Sequence, residues 1–270
     1  MFFPFRDDNP TTRPAVVTYA IVAMNVFALL WLSRQPEMKQ FVAVHRYGFI
    51  PARVAQLADG KPLRIPVEEL VQNRFGMEFA RRRGEVALEA NPGQIVLSWF
   101  TSMFLHGGWL HLIGNMWFLV IFGNNVEDRL GHVAYLFLYL LGGLIAAAFH
   151  WAGAPSSMAP VIGASGAVAA ILGAYAITWP WARVRTLVFL FIFITIIDFP
   201  ALLVLGVWFL SQLLNATQQT MGMGENVAWW AHVGGFVAGA FLMPLLSALV
   251  VPRPAARHGG EPDQHISDLF

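Results

Sequence analysis

The sequence has no cysteine and little charge. Without cysteine there can be no disulfide, no thiolate metal site and no cysteine nucleophile. Lys, Arg, Asp and Glu together make up 12% of the 270 residues, against about a quarter in soluble globular chains. The 17 basic and 16 acidic side chains nearly cancel, and a net charge of +1 leaves no electrostatic footprint for a nucleic-acid partner. Intrinsic disorder is excluded as well, because hydrophobic types reach 57%. Half of the charge crowds into one stretch, ten basic and seven acidic residues between Arg34 and Gln94. The rest of the chain cannot cover itself with a wetted surface, so its solvent is mostly lipid.

Long apolar runs stand where the charge is missing. A helix needs about 20 apolar residues to cross the hydrocarbon core, and five stretches qualify: Ala15–Ser33, Thr101–Phe122, Leu130–Trp151, Val161–Trp179 and Ala228–Val251. A sixth lies within Thr186–Leu214, where Asp198 and Pro200 interrupt the run and place the span at about Phe199–Leu214. The preceding Thr186–Ile197 reads either as an extended or interfacial piece or as a helical extension. The first span is too long for the apolar part of a cleavable signal peptide. Seven arginines (6, 13, 129, 183, 185, 253 and 257) fall on one side of these spans, and the short loops at 152–160 and 215–227 carry no Lys or Arg. The positive-inside rule then puts both termini in the cytoplasm. The expected organisation is a cytoplasmic tail over 1–14, a six-helix membrane domain over 15–251 and a cytoplasmic tail over 252–270. The 34–94 loop between spans one and two lies outside. Within it, Val67, Leu70, Val71 and Phe75 have helical spacing, which predicts a solvated or headgroup-bound helix over Pro66–Ala90.

Polar side chains inside spans are costly and mark function by default. They fall in three places: His106, His111 and Asn115 in span two, Gly163-Ala-Ser165-Gly166 opening span four, and His232 in span six. His111 and Asn115, four apart, share a helix face. Ser165 sits at a helix start, where free N–H groups favour developing negative charge. His232, Gly235 and Gly239 line one stripe, and the Gly235–Gly239 spacing lets membrane helices touch. Such a stripe facing a glycine-flanked serine would bring imidazole and hydroxyl within hydrogen-bond reach, the geometry that activates a serine nucleophile. Blander readings stand beside this one. Ser165 could bond its own backbone, and His232 could be an interhelical hydrogen-bond partner. A metal on His106, His111 and His232 would lack a completing carboxylate or thiolate, so neither metal nor cofactor is expected.

Taken together, the run His106-x4-His111-x3-Asn115, then Gly163-Ala-Ser165-Gly166, then Ala231-His232-x-Gly234-Gly235, with the turn Phe122–Gly131, resembles the rhomboid family of intramembrane serine proteases. The resemblance covers about Ser98–Met243, and Tyr47-Gly-Phe-Ile-Pro51 is similar to the bacterial members. It implies an all-α membrane protein with a six-helix rhomboid-like bundle in a bacterial cytoplasmic membrane. It also implies a serine endopeptidase with Ser165 as nucleophile and His232 as general base. The oxyanion would be held by His111, Asn115 and the Ser165 N–H. The implied partners are the lipid bilayer and a membrane-spanning protein substrate cut in or near its helix; the oligomeric state is open. A dyad of this kind has no acidic third member, so His232 is expected to be held by packing. His106 is expected to support the fold, and Glu127 to pair with Arg129. Some family members stack a tyrosine on the histidine at the position of Ala169, which leaves open what packs there. The competing reading is a rhomboid-like protein that binds and escorts membrane clients without cutting them.

Overall fold

The computed structural model describes residues 2–72, 78–190, 193–221 and 227–250. The chain begins with β1 (Phe2–Asp7), α1 (Val16–Ser33), α2 (Glu37–Tyr47), a 3-10 turn and α3 (Gln56–Asp59). A hairpin of β2 (Leu63–Gln72) and β3 (Glu78–Leu88) leads into α4 (Pro92–Thr101), α5 (Trp109–Leu130), α6 (His132–Gly153) and α7 (Ser165–Thr178). A second hairpin, β4 (Arg183–Leu190) and β5 (Phe193–Pro200), precedes α8 (Ala201–Thr220) and α9 (Trp229–Leu249).

The helices form an integral-membrane bundle with α7 at its centre. By length and composition, α1, α6, α8 and α9 can each cross a membrane among the described residues. The pair α4–α5 qualifies jointly but is bent by 78°. Helix α7 has only 14 residues, or about 21 Å at 1.5 Å per residue, against a hydrocarbon core of about 30 Å. Every residue from Ala167 to Ala176 is buried, so α7 is walled in by its neighbours and is shorter than a full crossing requires. A short, small-residue helix at the centre of the bundle thus carries Ser165 as its first residue.

Close backbone approach fixes α9 against α7. A Cβ at Gly235 would overlap the carbonyl oxygen of Gly166, and one at Gly239 would overlap that of Ala170. Lipid tails give helices no hydrophobic reason to associate, so packing of this kind is what holds them together. It also sets the height of His232 relative to Ser165.

Several expectations need correction. The second span starts later than Thr101 and runs on to Leu130, because the chain turns at 105–108 before α5 begins. Its polar end is tied to the N-terminal segment: Asn125 donates to Asp7 (2.7 Å) and Asp128 accepts from Thr12 (2.9 Å). The helix predicted over Pro66–Ala90 is instead the β2–β3 hairpin, with Leu63 opposite Leu88 and Ile65 opposite Val86. Alternation of Leu63, Ile65 and Val67 with Arg64 and Pro66 follows the strand period of two, and Ile65 and Leu88 are buried with Ile50. Phe75 lies outside the described residues, as does the 252–270 tail. Thr186–Ile197 follows the extended one of its two expected readings, in the β4–β5 hairpin, whereas the first residues are not a free tail, since β1 adds to the edge of β4.

The arginine-bearing end of the bundle is tied together here. Arg185 faces Asp8 at 3.5 Å and Asp198 at 3.8 Å. Glu127 does not pair with Arg129. Its carboxylate accepts from the N–H groups of Val17 and Thr18 (2.8 Å each) and the Thr18 hydroxyl (2.7 Å), and bonds His132 at 2.6 Å. It caps the free N–H groups of α1 from across the bundle, where a helix dipole welcomes a negative charge.

Candidate active site

The opposite end of the bundle carries a cavity of about 680 Å³. Its walls include the loop before α7 and the start of α9, and Ser165, His232, His111 and Asn115 all line it. The four residues singled out from the sequence thus meet in one place, contributed by α7, α9 and two successive turns of α5.

Ser165 is the first residue of α7, so its N–H has no acceptor within the helix. Its Oγ lies 2.8 Å from Nε2 of His232, which projects from the first turn of α9. His111 is held against the turn before Ser165. Gly163 has φ of +128° there, a conformation that L side chains rarely adopt, and a Cβ on it would come within 2.7 Å of His111 Nε2. The Gly163 N–H is pinned to the Ser102 carbonyl at 2.9 Å. Asn115 is nearly buried and donates from Nδ2 to the His111 carbonyl at 2.9 Å. One N–H of its amide remains to serve the cavity.

The loop that forms the outer wall is anchored by the Tyr47–Pro51 segment. Phe49 exchanges two backbone hydrogen bonds with Val161, at 3.0 and 2.7 Å. The Ala52 N–H reaches the Ser157 carbonyl at 3.0 Å, and the Phe49 ring packs on Trp99 with centroids 4.5 Å apart. His106 is fully buried behind this wall, with Nε2 3.4 Å from the Ala164 N–H and its ring edge-on to His111 at 5.0 Å. It backs the serine turn and does not line the cavity.

Two aromatic rings lie near His232. Trp208 of α8 lies at 6.1 Å and Trp229 stands edge-on at 5.8 Å, both within the range of aromatic contact. The sequence reading passed over two further polar residues. His150 of α6 is buried and lines the cavity. Gln212 of α8 bonds Nδ1 of His232 through Oε1 at 2.7 Å. In the sequence Gln212 stands as an amide within the mainly apolar stretch Leu210–Leu214, and an acidic partner is not the only kind that can orient a histidine.

Comparison with known proteins shows the family. The model of the Rhomboid domain matches residues 93–249, from α4 through α9. Rhomboid-like protein 11, chloroplastic, from Arabidopsis thaliana is 30% identical over 162 residues, which are 54% of this chain and 51% of that protein. RHOMBOID-like protein 1 from the same plant is 30% identical over 149 residues, 53% of this chain and 32% of that protein. RHOMBOID-like protein 6, mitochondrial, is 34% identical over 74 residues, 27% and 24% of the two chains. The matches thus span about half or less of the length of these curated relatives. With a family model matching more than half of its residues, the helices of the cavity among them, the chain belongs to the rhomboid family.

Proposed function

We propose that this protein is an intramembrane serine endopeptidase that cuts membrane-spanning protein substrates in or near their helices. The observation that carries the reading is the 2.8 Å contact between Ser165 Oγ and His232 Nε2 at the wall of a cavity. Ser165 Oγ attacks the scissile carbonyl carbon while its proton passes to His232 Nε2. The oxyanion that forms is met by the Ser165 N–H and by the side chains of His111 and Asn115, donors fixed in place before the reaction. His232 then returns the proton to the leaving amine, and the C–N bond breaks to leave an acyl-serine. In the second half, His232 takes a proton from a water as it attacks the ester, and gives it back to Ser165 Oγ as the acid departs. The cavity is roomy and presents several polar groups around Ser165 in a largely apolar wall, which gives the water that hydrolysis consumes hydrogen-bond partners there.

The site lies at the end of the bundle away from Arg6, Arg129, Arg183 and Arg185. With both termini in the cytoplasm, as the arginine distribution favours, the cavity and the 34–94 segment face the opposite side of the membrane. The bilayer is then both solvent and meeting place, since substrate and enzyme share it.

Purified protein is treated with a fluorophosphonate probe and, separately, with a model single-span substrate. Ser165→Ala abolishes both labelling and cleavage if the reading holds. Folded wild-type protein that neither labels nor cleaves points to the escort role.

A further inference from the structure

We infer that Gln212 is a positioning residue that holds the proton of His232 on Nδ1 and so leaves Nε2 free to accept from Ser165. The inference rests on the proposed protease chemistry but is carried by a separate set of contacts. Gln212 is a nearly buried amide on α8, with Ser211 beside it. Its Nε2 lies 2.9 Å from Ser211 Oγ and 3.3 Å from the Trp208 carbonyl. Ser211 Oγ itself donates to that carbonyl at 2.6 Å, so the hydroxyl proton is spent and only its lone pairs face the amide.

These neighbours decide which way the amide points. A carbonyl and a hydroxyl with its proton committed can only accept, so the NH2 group must face them. The flipped amide would set Oε1 against two lone pairs and leave NH2 groups on the wrong side, and networks of this kind are the basis on which amide orientation is assigned. Oε1 therefore faces His232 Nδ1 at 2.7 Å. An amide oxygen has no proton to give, so the proton of that hydrogen bond belongs to Nδ1. In a neutral imidazole the other nitrogen is then the acceptor, and that nitrogen is the one 2.8 Å from Ser165 Oγ. The opposite tautomer would donate to the serine and could not take its proton.

Among the described residues, no carboxylate bonds to His232. A neutral amide does the orienting work without placing a charge in a low-dielectric interior, where an ionised carboxylate is costly. Because Gln212 sits on α8 and His232 on α9, the tautomer is also tied to the seating of one helix on the other. The chain order is serine, glutamine, histidine, with one residue from each of α7, α8 and α9.

The test uses the full-length protein labelled with 15N-histidine in detergent micelles, with His232→Gln to assign the ring signals. Wild-type protein should show His232 protonated on Nδ1. Gln212→Leu should lose that preference, lower kcat roughly ten- to 150-fold, the worth of a hydrogen bond to a group that becomes charged, and move KM by less than about twofold. Gln212→Glu, whose protonated carboxyl can donate to the Trp208 carbonyl while its other oxygen accepts from Nδ1, should restore the tautomer and most of kcat. A merely structural role would lower the melting temperature in Gln212→Leu without moving the tautomer in the molecules that stay folded. Wild-type His232 protonated on Nε2 overturns the inference, as does an unchanged tautomer and kcat in Gln212→Leu. A Gln212-dependent tautomer in a protein that cleaves nothing overturns the protease reading and leaves this one standing.

Discussion

Replacing Gly235 by alanine tests whether helix packing sets the chemistry. Gly235 stands one turn after His232 on α9, and its α-carbon rests on the carbonyl of Gly166, the residue after Ser165. The added methyl would overlap that backbone oxygen and would also lie 3.2 Å from the Ala169 methyl. Neither neighbour is the free end of a flexible side chain, so α9 itself must back away, by about 1 Å to restore van der Waals contact. That movement adds to the 2.8 Å separating Ser165 Oγ from His232 Nε2 and takes the pair beyond hydrogen-bond reach. A misplacement of about 1 Å can cost about 10²-fold in rate, and overpacking of this kind costs about 1–3 kcal/mol in stability. The assay is kcat/KM on a single-span substrate together with the thermal midpoint in detergent. Gly206→Ala on α8 is the control: no atom lies within 4 Å of its added methyl, so activity should hold and stability rise by about 0.4–1 kcal/mol. Wild-type kcat/KM in Gly235→Ala would refute the link between glycine contact and dyad geometry.

Three further outcomes follow from named contacts. Asn115→Ala should lower kcat by about 10²–10³-fold, the usual loss for one oxyanion donor, with little change in the thermal midpoint; an unchanged kcat removes Asn115 from the site. Glu127→Ala leaves the N–H groups of Val17 and Thr18 and the Thr18 hydroxyl without their acceptor, and should cost about 3 kcal/mol or more in unfolding experiments. Burial pushes the Asp7 carboxyl up to about 6, above its ordinary value, against the opposing hydrogen bond from Tyr175. The folded state then holds the proton more tightly than the unfolded chain, so this group's stabilising contribution is complete below about pH 4 and is lost as pH rises through about 6. Comparison of wild type with Asp7→Asn across pH 4–7 should show the gap between their unfolding midpoints widening towards pH 7, in favour of the variant; a gap that narrows would contradict the assignment.

The candidate site is legible because lipid makes polar residues conspicuous. Ser165, His232, His111 and Asn115 stood out against apolar runs, and the glycine spacing around His232 pointed to a close neighbour. What escaped depended on partners distant in sequence. Leu70, Val71 and Phe75 match a helical spacing within one window, whereas the β2–β3 hairpin draws on Val86 and Leu88 some twenty residues later. Glu127 looked local to Arg129, yet its partners on α1 are more than a hundred residues away. Hydropathy likewise ended the second span near Phe122, since it cannot see that Asp7 and Thr12 satisfy the polar turns beyond. Gln212 was overlooked for a chemical reason: an orienting partner for histidine need only accept a proton-bearing nitrogen, and an amide oxygen does that as well as a carboxylate.

The most direct measurement is mass spectrometry of the fluorophosphonate adduct on purified protein. One phosphonyl group on Ser165 in the wild type, and none in His232→Ala that melts at the wild-type temperature, is the expected result. A modification elsewhere, or equal labelling of Ser165 without the imidazole, would contradict a serine activated by its neighbour on α9.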